Sequence, residues 1–424
     1  MALQEAQPQP SYILRGHGAQ VHSTSFIRSN TRLVTGDAEG WIVIWSLATK
    51  RPVAVWGAHE GSILGADAWG VDKIITHGKD NKLIVWKLSE ADEGSMSVVL
   101  PVDTPPEPRK QPWLLYILHV NTMNFCSFAQ CHLPSDVDNS SPEELLVAVP
   151  NILSSETVGP SFRFSKFLVL TILKVDIFHF PSSQRLHTVP SDPSFKGGMI
   201  MAISLFHHPL TTHLTVIAGY ESGHTCVSQL SLDAGWKTLY ISQPHTQPVL
   251  SLAVNPAKDF YVTSSADAII AKHPIPSRAE NIIMSIEDKP LKTVQTKHSG
   301  QQDLKMRNDG KIYATAGWDA KVRVYSTKSM RELAVLKWHK EGCYAIAFAN
   351  VQDEELAAED KGESTDLTKR VGKKTVKEER IWKSKTTHWI AVGSKDGKCE
   401  RVNVMLNCGK LGMVEEVKEE MRPM

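Results

Sequence analysis

Two tryptophans at the ends of short apolar runs, Trp45 and Trp86, lie 41 positions apart in this chain of 424 residues. The histidines that precede them, His17 and His59, lie 42 positions apart. The runs between each His and its Trp are rich in β-branched residues and bounded by Gly, Asp or Asn, which is typical of strands rather than of helices. A repeat of this length built only from strands has the period expected of propeller blades.

The second repeat also resembles a WD40 blade in its polar residues. In that family a Trp indole, a Ser or Thr hydroxyl, a His and an Asp form a buried hydrogen-bond relay, which stabilises only when every member finds its partner. Glu39 stands at the Asp position of the first blade, and His273 at the Trp position of the fifth, where it donates in only one tautomer. Blade by blade, the relay residues that we predict are His17, Thr35, Glu39 and Trp45; His59, Thr76, Asp80 and Trp86; His245, Thr263 and Asp267; and His298, Thr315, Asp319 and Tyr325.

Six further copies of the second repeat, of falling quality, bring the predicted number of blades to seven. We include Trp113–Leu118 in the third blade. The weaker copies have other residues at the relay positions: His119 and Phe178 in the third blade, Ser222 and Ser228 in the fourth, and Val392 and Val402, beside His339, in the seventh. Such sequence variation is tolerated because each blade is stabilised by its contacts with the neighbouring blades.

The prediction is therefore an all-β, seven-bladed WD40 propeller. Tyr12–Arg15 reads as a strand, but no blade precedes it, so we expect it to pair into the last blade and close the ring. The predicted organisation is a disordered N-terminus at 1–10, a propeller at 11–408 with insertions near 90–112, 151–174 and 352–385, and a charged tail at 409–424.

Composition excludes several classes of function. A formal net charge of +1 provides no global field for nucleic acid or for an acidic membrane. No apolar run approaches the ~20 residues that a membrane span requires. The six cysteines form no Cys-x-x-Cys pair, and we expect reduced thiols.

We predict no catalytic, metal-binding or cofactor-binding site. The sequence has no Gly-x-Ser-x-Gly, phosphate-binding loop or His-Glu-x-x-His pattern, and no Cys/His cluster with zinc spacing. Most of the blade histidines are explained by the relay. Asp80, Asp267 and Asp319 belong to different blades, so they do not form one carboxylate site.

Propellers usually act by binding, and the turn between the second and third strands of each blade opens onto one face. Trp318 stands out there, because a large aromatic on an exposed turn is a candidate interface anchor; the alternative is a ring folded onto neighbouring loops. The candidate partner-binding residues are Trp318, Lys79, Lys395, Glu221 and Trp338.

Several segments resemble the fungal ASTRA-associated WD-repeat family, which is itself similar to G-protein-β-like WD40 proteins: Tyr12–His17, Leu33–Trp45, Leu118–Cys126, Thr315–Asp319 and Trp389–Lys398. The resemblance implies a non-catalytic scaffold in the nuclear ASTRA complex, with roles in chromatin remodelling and in the assembly of phosphatidylinositol-3-kinase-like kinases. It implies protein partners, namely other ASTRA components, and a location in the nucleus, with the cytoplasm as an alternative location. The basic run Lys369–Lys374 also resembles a nuclear-import patch.

Two other classes of function are weighed against this one. A G-protein-β-like signalling subunit should carry an N-terminal coiled-coil helix, for which residues 1–11 are too short. A substrate receptor of a cullin ubiquitin ligase usually has an Arg two residues after the Trp-Asp pair that closes a blade, and the residues after Trp45 and Trp86 lack this mark.

Overall fold

Seven four-stranded antiparallel sheets form the blades of a β-propeller in a computed structural model of the protein. The structure describes residues 9–103, 109–120, 126–133, 144–151, 174–231, 235–276, 288–351, 375–403, 405–407 and 410–412. The innermost strands of all seven blades line a central channel of about 590 Å³. The predicted fold class and number of blades are confirmed.

The strands follow one another around the ring in chain order. After β1 (Tyr12–Arg15), the first two blades are β2 (Val21–Ile27), β3 (Arg32–Asp37), β4 (Trp41–Ser46) and β5 (Arg51–Gly57), then β6 (Ile63–Trp69), β7 (Lys73–Gly78), β8 (Lys82–Lys87) and β9 (Trp113–His119). The third and fourth are β10 (Ala129–His132), β11 (Leu145–Asn151), β12 (Lys174–Phe180) and β13 (Gln184–Val189), then β14 (Ile200–His207), β15 (Leu214–Tyr220), β16 (Thr225–Ser231) and β17 (Gly235–Ser242).

The remaining blades continue the same order. The fifth and sixth are β18 (Val249–Val254), β19 (Phe260–Ser265), β20 (Ile269–Pro274) and β21 (Lys292–Gln295), then β22 (Gln301–Met306), β23 (Ile312–Gly317), β24 (Val322–Ser326) and β25 (Glu332–Leu336). The seventh has β26 (Cys343–Phe348), β27 (Trp389–Ser394) and β28 (Lys398–Asn403), with β1 as its fourth strand. A separate hairpin joins β29 (Met405–Asn407) to β30 (Lys410–Gly412).

The N-terminal strand closes the ring, as the sequence predicted. β1 pairs antiparallel with β28 in a register that runs from Tyr12 opposite Arg401 to Arg15 opposite Lys398. Leu14 is buried among residues of both the first and the last blade, including Trp45 and Cys399. The last sheet therefore has the same four strands as the others, although its outer strand comes from the opposite end of the chain.

Two carboxylates of the inner strands tie neighbouring blades together, and sequence analysis did not identify them. Asp67 of the second blade accepts hydrogen bonds from the Ser25 hydroxyl at 2.7 Å in the first blade and from the Gln130 amide at 3.1 Å in the third. Asp303 of the sixth blade accepts from the Ser251 hydroxyl at 3.0 Å in the fifth and from the backbone N–H of Ile346 at 2.9 Å in the seventh. Each carboxylate thus links three consecutive blades.

The assignment of Trp113–Leu118 to the third blade was wrong. These residues belong to β9, which is the outer strand of the second blade and pairs with β8 from Trp113 opposite Lys87 to His119 opposite Lys82. His119 is exposed at the end of that strand and does not enter a relay. The strand was misplaced because a Pro-rich segment separates it from β8 in sequence, whereas hydrogen bonding joins the two in space.

Part of each predicted insertion lies within the described residues. The first insertion contains a short 3-10 helix at Asp92–Ser95. The last insertion ends in the helix α1 (Val376–Thr386), whose N-terminus is stabilised by a capping box between Thr375 and Glu378. The rest of the predicted insertion at 151–174, the basic run at 369–374 and the residues from 413 onward lie outside the described residues, as do 1–8. The domain boundaries stay predictions.

Replacing Leu14 should test how much the closing strand stabilises the ring. Leu14→Ala opens a cavity between the first and last blades, so we expect it to lower the free energy of unfolding by about 2–4 kcal/mol. Arg15→Ala, on the exposed side of the same strand, should change it by no more than about 0.5 kcal/mol. Urea unfolding of the three proteins measures this, and equal effects of the two substitutions would contradict the role of β1.

Candidate protein-binding face

The second blade has the complete relay. The Trp86 indole N–H donates to the Thr76 hydroxyl at 2.9 Å, and this hydroxyl lies 2.8 Å from Nε2 of His59. Nδ1 of His59 lies 2.8 Å from a carboxylate oxygen of Asp80. Burial lowers the pKa of His59 in spite of the neighbouring Asp80, so the imidazole is neutral at pH 7 and can accept from the hydroxyl while donating to the carboxylate.

The first blade has a relay too, but its carboxylate is Asp37, and the assignment to Glu39 was wrong. Nδ1 of His17 lies 2.7 Å from Asp37, while Thr35 joins His17 at 2.7 Å and Trp45 at 2.9 Å. The Glu39 side chain is exposed, and only its backbone N–H donates to Asp37. Asp37 is two residues closer to the Thr, at the end of β3, from where its short side chain reaches the imidazole.

In the fifth blade, His273 acts at the Trp position, in the one tautomer that the sequence pattern allows. Nε2 of His273 lies 2.9 Å from the Thr263 hydroxyl, which lies 2.8 Å from His245, and His245 lies 3.1 Å from Asp267. The Tyr240 hydroxyl of the fourth blade lies 2.8 Å from Nδ1 of His273. Burial lowers the pKa of His273 well below its usual value, so the ring is neutral. Because the Thr263 hydroxyl donates to His245 in the relay, Nε2 of His273 donates to Thr263 and Nδ1 accepts from Tyr240.

The predicted relay of the sixth blade does not form. His298 is part-exposed, and its Nδ1 is 3.9 Å from Asp319, beyond hydrogen-bond distance. The Thr315 hydroxyl donates instead to the side chain of Gln301 at 2.6 Å, and Arg323 donates to both oxygens of Asp319. At the Trp position, the Tyr325 ring stacks on Tyr313 with 5.1 Å between centroids. Gln301 and Arg323 therefore satisfy the two groups that His298 was expected to join.

The seventh blade places two neutral buried groups where a relay would be. Nδ1 of His339 is 3.7 Å from Asp396, and its Nε2 is 3.9 Å from Glu400. Burial lowers the pKa of His339 to about 4. Burial, and then the charge of Asp396, raises the pKa of Glu400 to about 8. Near neutral pH an uncharged imidazole thus faces a protonated carboxyl, which avoids the cost of burying two charges.

Trp318 lies in the turn between β23 and β24. Its ring is both packed on a neighbouring loop and exposed to solvent, so it combines the two arrangements that the sequence left open. One side packs on the backbone of Gly300, whose φ of +71° and missing Cβ leave room for the indole. The indole N–H donates to the side chain of Gln302 at 2.8 Å. The side chain is nevertheless 48% exposed, so an anchored and oriented aromatic surface faces solvent.

Trp318 lines a cavity of about 270 Å³ at one end of the central channel. Four blades contribute to it: the first, second, sixth and seventh. Its lining residues are Gln20, His22, Ile63, Leu64, Gln302, Trp318 and Tyr344. His22 and Tyr344 meet edge to face, with centroids 5.6 Å apart. Sequence analysis missed these two residues; the alternation of the first strand of each blade, in which every second residue faces the channel, is the signal that could have found them.

The other predicted binding residues lie outside this cavity. Lys79 and Lys395 are exposed on equivalent turns of the second and seventh blades, where Nζ of Lys395 is 4.0 Å from Glu341. Glu221, on the fourth blade, accepts from the backbone N–H of Met199 at 3.1 Å. Trp338 is half-buried, with its ring edge-on to His339 at 5.1 Å. Of the five candidates, only Trp318 thus combines an aromatic surface with a concave site.

Within the described ranges, no group of three or more His, Cys, Asp or Glu side chains is arranged to hold a metal ion. The five described cysteines form no disulfide bond with one another, and burial raises the pKa of each thiol: Cys126, Cys131, Cys226, Cys343 and Cys399. These thiols stay protonated at physiological pH and pack as small hydrophobic groups.

None of the helices in the described part of the chain has the length and apolar character needed to cross a membrane.

Two neighbouring carboxylates of the first blade provide a direct test of the relay. Asp37→Ala removes the acceptor for His17 and for the backbone N–H of Trp41 in a buried site, so we expect a loss of about 1–3 kcal/mol in the free energy of unfolding. Glu39→Ala should stay within about 0.5 kcal/mol. Chemical denaturation checks both; a larger loss for Glu39→Ala would restore the original assignment.

Glu400 should make stability depend on pH. Its pKa is raised on folding from 4.5 to about 8, so the folded state binds the extra proton and loses stability as pH rises through that interval. Glu400→Gln, which stays neutral, should flatten the dependence, so that its stability relative to wild type increases between about pH 5 and about pH 9 by a few kcal/mol, since one pKa unit is worth about 1.4 kcal/mol. Urea unfolding across this range measures it, with exposed Glu341→Gln as control; parallel curves for Glu400→Gln and wild type would refute it.

Comparison of the sequence with known proteins identifies the family to which the chain belongs. The model of the ASTRA-associated protein 1 family matches residues 10–401. The chain is 50% identical to ASTRA-associated protein 1 of Verticillium alfalfae over 394 residues, which cover 92% of this chain and 91% of that protein. It is 43% identical to the Penicillium rubens protein of the same name, with 92% and 96% covered, and 32% identical to that of Schizosaccharomyces pombe, with 80% and 93% covered. The chain therefore belongs to the ASTRA-associated protein 1 family.

Proposed function

We propose that this protein is a non-catalytic scaffold subunit of the ASTRA complex, which holds protein partners on the face that carries Trp318. The match to the ASTRA-associated protein 1 family over residues 10–401 carries the proposal, because the relatives are named for association with that assembly. Roles in chromatin remodelling and in the assembly of phosphatidylinositol-3-kinase-like kinases, and a location in the nucleus, are parts of the same proposal.

The architecture supports binding rather than chemistry. In the first, second and fifth blades, the histidine and the carboxylate hydrogen-bond to each other within a relay. The three histidines are buried, so they do not face a substrate. The Trp318 cavity, by contrast, presents an aromatic ring held by Gln302 beside Tyr344 and His22. A preoriented aromatic group in a concave site loses little entropy on binding, which is the property of an interface anchor.

Affinity purification with quantitative mass spectrometry tests the proposal. Tagged full-length protein, expressed at a low level in a fungal host, should recover the other ASTRA subunits, and a fluorescent fusion should accumulate in the nucleus. Recovery of cullin adaptors or G-protein subunits in their place would overturn the assignment and favour a ligase receptor or a signalling scaffold.

Trp318→Ala should weaken the capture of those partners by about tenfold, because loss of a central aromatic anchor commonly costs more than about 1.4 kcal/mol. Leu210→Ala is the matched control. Leu210 is 79% exposed in the turn between β14 and β15 of the fourth blade, which lies on the opposite face of the ring from the turn that carries Trp318. It should leave partner recovery unchanged. If Trp318→Ala recovers the partners as well as wild type does, this face is not where they bind.

A further inference from the structure

The outer strand of the second blade, β9, differs in composition from every other outer strand of the described ring. Its sequence, Trp-Leu-Leu-Tyr-Ile-Leu-His, contains no Asp, Glu, Lys or Arg. Each of the other six outer strands has at least one charged residue: Arg51, Arg185, Lys237, Lys292, Glu332 and Arg15. Charges on edge strands oppose pairing with another chain, so β9 lacks the protection that its counterparts have.

Half of the β9 side chains are left in solvent. Leu115, Tyr116 and Leu118 pack against the apolar cluster between the second and third blades. Trp113, Leu114 and Ile117 remain 74%, 41% and 44% exposed. One short strand thus exposes three large apolar side chains, and exposed apolar surface of this kind marks interaction sites.

The backbone edge of β9 is open as well. In the described residues, the hydrogen-bonded neighbour of β9 is β8, on its inner side, and no strand pairs with its outer side. The first blade shows how this chain covers such an edge. There the backbone N–H of Val55 in β5 donates to the carbonyl of Ser97 at 2.9 Å, and Met96 is buried against the same blade. A segment of the chain itself thus lies along β5, whereas no segment among the described residues pairs with the outer edge of β9.

Charge distinguishes the two ends of this strand from its apolar middle. Two lysines lie at its N-terminal end: Lys87, which is paired opposite Trp113, and Lys110, which precedes the strand. The Arg109 guanidinium, by contrast, lies over the Trp41 ring of the first blade. Nearby Glu90 and Glu93 are engaged by Arg32. Of the acidic residues at 90–93, Asp92 is therefore the one left beside Lys87 and Lys110, so the N-terminal end of β9 has a net positive charge.

We propose that β9 is the docking strand for an extended apolar segment of another protein, which adds to the second blade as a fifth, antiparallel strand. In an antiparallel pair the C-terminal end of the incoming strand lies beside the N-terminal end of β9. The partner segment therefore carries large apolar side chains at alternate positions, followed by acidic residues at its C-terminal end. Main-chain hydrogen bonds supply affinity in this mode, and the side-chain pockets and the charges supply specificity. The site is independent of the Trp318 face.

The same charges argue against a second copy as the occupant. In a twofold pair of β9 strands, the cations at the N-terminal end of each strand would lie beside His119 and Lys82 at the far end of the other. The nearby carboxylates already face cations of their own end, Asp80 with Lys82 at 3.9 Å and Asp92 with Lys87 and Lys110, so neither is available to the opposite strand. Like charges placed directly across a strand pair are destabilising.

A synthetic probe tests the proposal with the full-length protein. The probe is a fluorescein-labelled peptide of alternating Ile and Thr that ends in three Glu residues, and binding is read as fluorescence anisotropy at low salt. We expect saturable binding. We expect at least tenfold weaker binding of two matched peptides: one N-methylated at alternate residues, which removes main-chain donors, and one that ends in three Lys residues. Both comparisons use the wild-type protein, so they do not depend on the folding of a variant.

Substitutions in the protein locate the site. Ile117→Lys, alone and with Leu114→Lys, should weaken probe binding at least tenfold. Leu186→Lys is the matched control, because Leu186 is 48% exposed on β13, the outer strand of the neighbouring blade, and it should bind like wild type. The proposal is overturned if the N-methylated peptide binds equally well, if the β9 variants bind like wild type, or if no saturable binding occurs. A wild-type dimer that Ile117→Lys converts to a monomer would overturn it in favour of a second copy.

Discussion

Closure of the ring by β1 is the interaction on which the rest of this structure depends. Each blade buries its two faces against its neighbours, so an open array would leave the first and last sheets each with an exposed apolar face. Pairing β1 with β28 joins the two ends of the chain in one sheet and places Leu14 beside Trp45 and Cys399. The carboxylates of Asp67 and Asp303 add hydrogen bonds across successive blades inside the ring.

The joints of the first, fifth and sixth blades show that different residues can provide partners for the same buried polar groups. The first blade uses Asp37 in place of the expected Glu39, and the fifth uses His273 in place of a Trp. The sixth blade joins Thr315 to Gln301 and Asp319 to Arg323. Each of these alternative residues provides a hydrogen-bond partner for a buried polar group. A buried polar group without a partner would destabilise the fold.

Two surfaces of the ring have the properties of binding sites, and they differ in kind. The Trp318 cavity is concave, aromatic and built from four blades, so its shape exists only in the closed ring. The β9 edge is linear and apolar, and belongs to one blade. The two proposed sites use different elements, the turns on one face and an outer strand at the rim. Two separate sites of this kind would let the protein hold two partners at once, which agrees with the proposed role as a subunit of a protein complex.

Local pattern was sufficient for the fold. The 41–42-residue spacing, the strand periodicity and the unpartnered Tyr12–Arg15 together determined a seven-bladed ring and the strand that closes it, since these depend on residues near one another in sequence or on a simple count. Only the tertiary structure decided that Asp37 rather than Glu39 reaches His17, that Trp113–His119 belongs to the second blade, and that His22 and Tyr344 meet Trp318 at the channel. Those outcomes depend on side-chain reach and on contacts between segments far apart in the chain, which spacing alone does not specify.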